Sequence, residues 1–165
     1  MNRTAFNRRS LLIGAGVSGA ALVTGTAGLL VPAQAKTDYA PTQTMRGGSN
    51  NYSPNAPLVA NLGTGFLMSG TVLRAGTGEP LSNVRIQIWA ATPRGGEREP
   101  SNHGSVMTAA DGTYQLEMSQ IVPHFGQPHG HLAYDDADFE TVFLRPVMNS
   151  KNDTSLQANF VLTPA

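Results

Sequence analysis

Val84-Arg85-Ile86-Gln87-Ile88-Trp89, followed after one intervening segment by Asp111-Gly112-Thr113-Tyr114-Gln115-Leu116-Glu117-Met118, decides the fold of this chain. Both runs alternate apolar and polar residues, so Val84, Ile86 and Ile88 face one way and their neighbours the other, as in a half-buried strand. Asp111-Gly112 is a turn signal directly ahead of the second run. A period of two rather than 3.6 excludes an amphipathic helix at both places.

Working outward, the same pattern recurs. Phe66 to Leu73 reads as a strand and ends at Gly76-Thr77-Gly78-Glu79-Pro80, a cluster of turn residues. His129–Tyr134, Phe139–Leu144 and Ala158–Leu162 bring the expected total to six or seven strands. No stretch of ten or more residues after the N-terminus has a helical period. Short strands separated by turn residues predict an all-β fold, a single β-sandwich over residues 66–165. Val84, Ile86, Ile88, Leu116 and Phe143 are the expected interior. Trp89 reads as a core aromatic, and Asp135, Asp136 and Asp138 as a solvated turn. Residues 36–65, rich in Pro, Asn, Thr, Ser and Gly, read as an irregular N-terminal arm laid over the domain.

Residues 1–35 have the three parts of a cleavable export signal. Arg3, Arg8 and Arg9 come first, an apolar Gly/Ala-rich stretch from Leu11 to about Val31 follows, and Ala33-Gln34-Ala35 forms a small-x-small site. Asn7-Arg8-Arg9-Ser10-Leu11-Leu12 resembles the twin-arginine motif. A retained membrane anchor is the competing reading, but the stretch holds five glycines and lacks a basic stop-transfer flank. The expectation is an exported domain, periplasmic or extracellular, beginning at Lys36 and without a stable membrane span.

The whole chain balances 11 basic against 11 acidic residues. The signal removes three arginines and no acid, which leaves a mildly acidic domain with no basic footprint for nucleic acid. There is no cysteine. Disulfides, thiolate metal sites and cysteine nucleophiles are therefore excluded, and any metal must sit on nitrogen and oxygen ligands.

All four histidines fall between positions 103 and 131. His129 and His131 are alternate residues of one expected strand, so both imidazoles lie on one face with Cα atoms roughly 6.5–7 Å apart. That spacing suits one shared metal ion, and histidine is the commonest side-chain ligand. His124 is the candidate third ligand, brought back by the loop between Pro123 and Pro128. His103 and Glu97 are candidate neighbours, although Glu97-Arg98-Glu99 also reads as a charged, solvated loop.

Taken in order, these pieces resemble the intradiol ring-cleavage dioxygenases, non-haem iron enzymes with a β-sandwich core. The resemblance runs from Gly70-Thr71-Val72 and Glu79-Pro80-Leu81-Ser82-Asn83-Val84, through Ile86-Gln87-Ile88-Trp89 and Thr108-Ala109-Ala110-Asp111-Gly112-Thr113-Tyr114, to Pro128-His129-Gly130-His131 and Thr141-Val142-Phe143-Leu144. It implies a catechol-type substrate, dioxygen and a non-haem iron held partly by His129 and His131. The family's two tyrosine ligands are not matched. Gly95-Gly96-Glu97-Arg98 stands where the first is expected and His124-Phe125 near the second, while Gln127 replaces the arginine before the histidines. Without tyrosinate, imidazole and carboxylate ligands shift the site toward Fe(II), zinc or copper. Two functions follow: an exported oxidoreductase of this type acting on a small aromatic diol, or a non-catalytic sandwich module that binds metal or another ligand at the cell surface.

Overall fold

The computed structural model describes residues 39–165; the export signal read over residues 1–35 and the first residues of the arm lie outside them. Among the described residues there are nine strands: β1 (Asn61–Leu62), β2 (Gly65–Arg74), β3 (Arg85–Ala90), β4 (His103–Met107), β5 (Thr113–Ser119), β6 (Gly130–Tyr134), β7 (Val142–Leu144), β8 (Ser155–Gln157) and β9 (Phe160–Leu162). The one helical element among the described residues is a 3-10 turn over Pro100–Asn102. No described helix is long and apolar enough to cross a membrane.

The strands form two sheets. The first runs β1-β5-β2-β8, with β9 on the same edge of β2 as β8; the second runs β4-β3-β6-β7. β2 and β5 pair antiparallel over seven residues, Gly65 opposite Ser119 through Thr71 opposite Thr113. Period-two alternation sends Phe66, Met68 and Val72 from β2 and Tyr114, Leu116 and Met118 from β5 inward. They meet Ile86 and Ile88 of β3 and Leu132 and Tyr134 of β6. Each such side chain, fully buried, contributes roughly 1.5–3 kcal/mol. The sandwich and its interior agree with the sequence pattern at Val84, Ile86, Ile88 and Leu116.

Phe143 does not belong to that interior. Val142 and Leu144 take the inward positions of β7, so Phe143 points to the outer face, half-buried and edge-on to Tyr52 with ring centroids 5.0 Å apart. Trp89 is likewise buried, 1% exposed, but on the outer face of the second sheet rather than between the sheets.

That outer face is covered by the arm, which explains why so many polar residues there are buried. Met45 N–H donates to the Phe143 carbonyl, Val59 N–H to Ser105 and Ser105 N–H to Pro57. Gln87, fully buried, is satisfied at both ends: its Oε1 accepts from Ala56 N–H, and its Nε2 donates to Asp135 Oδ1 and the Tyr52 hydroxyl. The Tyr52 hydroxyl donates in turn to Asp135 Oδ2. Asp135, read from sequence as solvated, is therefore half-buried under the arm.

Candidate metal centre

The centre lies on the outer face of the second sheet, at the end of β6. His129, bridged to Val147 just before β6, and His131 within it present their rings side by side, centroids 4.9 Å apart. Tyr134 falls on the opposite, inner face, as its three-residue offset from His131 requires.

Each imidazole is oriented by a backbone carbonyl. His129 Nδ1 donates to Gln127 O at 2.7 Å and His131 Nδ1 to Gly48 O at 3.0 Å. A carbonyl only accepts, so both rings carry the proton on Nδ1 and turn Nε2 toward the same point. Glu97 is at that point. Its Oε1 is 3.0 Å from His129 Nε2, and its Oε2 is 3.4 Å from His131 Nε2. One ligand atom from each of the three residues lies within 4.8 Å of the others, and all three residues are buried. Glu97, only 4% exposed, is thus not the solvated loop residue its charged neighbours suggest.

His131 Nε2 is buried without a hydrogen-bond partner. Burial holds the His131 imidazole below its usual 6.5, against the raising influence of the Gly48 hydrogen bond and of Glu97. A neutral ring with its lone pair aimed at a buried carboxylate is repulsive unless a cation lies between them. Two imidazole nitrogens and one carboxylate with open positions is the donor set of non-haem Fe(II) oxygenase sites. The residues present therefore fit a divalent metal, with His129, His131 and Glu97 as its holders.

The other candidates are placed differently. His103 turns away from the pair and binds Glu97 through the backbone: its Nε2 donates to Glu97 O at 2.6 Å. Its ring also stacks on Trp89, 5.8 Å between centroids and 7° between planes, while His131 stacks on the other side of the indole at 5.1 Å and 8°. Trp89 Nε1 donates to Asn50 O. His124 is not in the three-residue cluster. It is half-buried beside Gly96, on the wall of a cleft of about 870 Å³ that opens onto Glu97 and His129. The loop between Pro123 and Pro128 leaves its tip exposed, with Phe125 91% exposed and at a positive φ of 51°.

Arg98 and Arg145 also line that cleft. Arg145 Nη2 is 3.4 Å from His129 Nδ1, and Arg98 Nε donates to Asn51 Oδ1 at 2.9 Å. No tyrosine reaches the centre. The hydroxyls of Tyr52, Tyr114 and Tyr134 bond to Asp135, to Ala158 O and to Phe139 N–H, and Tyr39 packs at Gly78. Sequence reasoning missed the arm residues Gly48 and Asn51, whose side-chain types carry no metal-site signal.

No family model matches the sequence, and no curated protein sequence does. Solved structures do match. The dioxygenase domain of a dioxygenase–carbohydrate-binding fusion from Streptomyces sp. SirexAA-E is 17% identical, with TM-score 0.60 over 76% of this chain and 99% of that one. Hydroxyquinol 1,2-dioxygenase from Pseudomonas putida DLL-E4 is 14% identical, with TM-score 0.56 over 80% and 69%. Chlorocatechol 1,2-dioxygenase from Pseudomonas putida is 16% identical, with TM-score 0.52 over 75% and 71%. At these identities the likeness is one of fold, and it agrees with the motifs: the chain is built on the β-sandwich of the intradiol-type dioxygenases.

Proposed function

We propose that this chain is an exported, metal-dependent oxidoreductase that acts with dioxygen on a small catechol-type aromatic diol. The observation that carries the reading is the buried, unpartnered His131 Nε2 facing Glu97 beside His129. The fold supports the reaction class, and the ligand set favours Fe(II) over the ferric, tyrosinate-bound iron that the family resemblance implies. Zinc and copper suit the same imidazoles.

Held by His129, His131 and Glu97, iron or copper would supply Lewis-acid and redox chemistry, and zinc Lewis-acid chemistry alone. The chain's own residues do the rest. Glu97 offsets one positive charge, and the carbonyls of Gln127 and Gly48 hold both rings in the required tautomer. Arg98 and Arg145 place two cations along the cleft, complementary to a diol that has lost protons. His124, on the cleft wall, offers an imidazole to take such a proton. Phe125 presents an aromatic ring at the rim to a planar substrate.

The test begins with metal. Protein loaded anaerobically with Fe(II) should retain about one ion per chain, and Glu97→Gln should lose it. With catechol or hydroxyquinol under ¹⁸O₂, a ring-opened product carrying both labelled atoms supports the reaction. Metal retention without turnover would instead favour a binding module, the reading to which the unmatched tyrosine positions point. Absence of metal binding would end the oxidoreductase reading and leave only a module that binds a ligand other than metal. Export by the twin-arginine route is part of the proposal, and replacing Arg8 and Arg9 with lysine should leave the precursor uncleaved inside the cell.

A further inference from the structure

Glu97 is held by an uncharged side chain from the arm. Asn51 Nδ2 donates to Glu97 Oε2 at 2.7 Å, and Asn51 Oδ1 accepts from Arg98 Nε at 2.9 Å. A guanidinium can only donate, so it fixes the amide with its NH₂ toward the carboxylate. Asn51 sits at a positive φ of 55°, a conformation that Asn tolerates better than other side-chain-bearing residues. The same stretch of arm supplies Gly48 O to His131 and Asn50 O to Trp89. Three neighbouring arm residues thus grip two members of the centre, His131 and Glu97, and the indole stacked on His131.

We propose that Asn51 is a positioning residue that holds Glu97 as a one-oxygen ligand, keeping coordination positions free on the metal. This rests on the metal-centre reading above. Oε2, 3.4 Å from His131 Nε2, already gives one lone pair to the Asn51 amide, whereas Oε1, the oxygen facing His129, accepts no side-chain amide and keeps both lone pairs for a metal, which makes it the stronger ligand atom. A carboxylate bound through both oxygens would fill a position otherwise left to substrate or dioxygen. Arg98 acts through Asn51 by fixing which end of the amide faces Glu97. Partners of this kind typically change metal affinity 10- to 100-fold.

Co²⁺ is a suitable probe, because its visible absorption reports coordination number. Asn51→Gly keeps the positive φ accessible and removes only the amide. It should lower Co²⁺ affinity about 10- to 100-fold, measured by competition with a chelating dye. It should also change the intensity of the ligand-field bands as Glu97 Oε2 joins the metal. Arg98→Met should shift both readouts in the same direction by less, and it carries the test alone if Asn51→Gly fails to fold. Wild-type affinity with a wild-type spectrum in these variants overturns the role of Asn51 and leaves the metal centre standing. A wild-type chain that binds no Co²⁺ overturns the centre, and this inference with it.

Discussion

The Gly48 carbonyl accepts the Nδ1 proton of His131 at 3.0 Å across a sequence separation of 83 residues. Gly48 is confined by more than this bond. A Cβ there would lie 2.8 Å from the backbone carbon and oxygen of Phe143, so a side chain cannot be added without moving the arm off the sheet. Gly48→Ala should displace the carbonyl, free His131 to adopt the other tautomer, and weaken Co²⁺ or Zn²⁺ binding roughly tenfold or more. No ligand is touched, and isothermal titration against wild type checks the outcome. Unchanged affinity would show that His131 needs no backbone partner.

Gly70 explains itself on the opposite sheet. β8 and β9 run along one edge of β2 and are separated at Ala158-Asn159, where the Ala158 carbonyl turns in toward Gly70 and accepts the Tyr114 hydroxyl at 2.6 Å. A Cβ at position 70 would fall on that carbonyl. Gly70→Ala should cost about 3 kcal/mol or more, lowering Tm by roughly 10 °C in thermal melts. A loss under about 1 kcal/mol would mean that the β8–β9 edge yields easily.

How much of this was legible follows from the range of each interaction. Alternation within β2, β3 and β5 is local, so their inward residues could be read directly, as could the two imidazoles of a His-x-His on one face. β4 was not legible, because His103-Gly104-Ser105 is buried on both faces and does not alternate. β8 is a three-residue edge strand with no apolar pattern. Glu97 looked solvated because its hydrogen-bond partner, Asn51, lies 46 residues earlier and leaves no local signature. Phe143 and Trp89 looked like core because an aromatic residue beneath a covering arm has the same local signature as one between two sheets.

The arm also carries an acid-range signature. Burial, with Asp136 beside it, raises the Asp135 carboxyl above 3.8 where it meets Tyr52 and Gln87. Between 3.8 and the raised value, the folded chain holds a proton that the unfolded chain has released. Stability therefore falls as pH rises through that window. Asp135→Asn should remove this part of the slope, seen as a flatter plot of Tm against pH in chelator-treated protein. An unchanged slope in the variant would assign it to another carboxylate.

Trp89, the single tryptophan in the sequence, offers a direct optical reading of the centre. Its ring lies parallel to His131 at 5.1 Å, so any ion on His131 Nε2 sits one imidazole away from the indole. A paramagnetic ion such as Cu²⁺ or Co²⁺ bound there should quench most of the fluorescence at one equivalent. The same titration separates the candidate ligands. His131→Ala and Glu97→Gln should abolish the saturable phase, because they remove one of the three converging ligand atoms. His124→Ala should leave it intact, since that imidazole belongs to the cleft wall and not to the cluster. If His124→Ala removed the quenching while His131→Ala preserved it, the ion would be binding at the loop between Pro123 and Pro128, and the centre assigned to His129, His131 and Glu97 would be wrong.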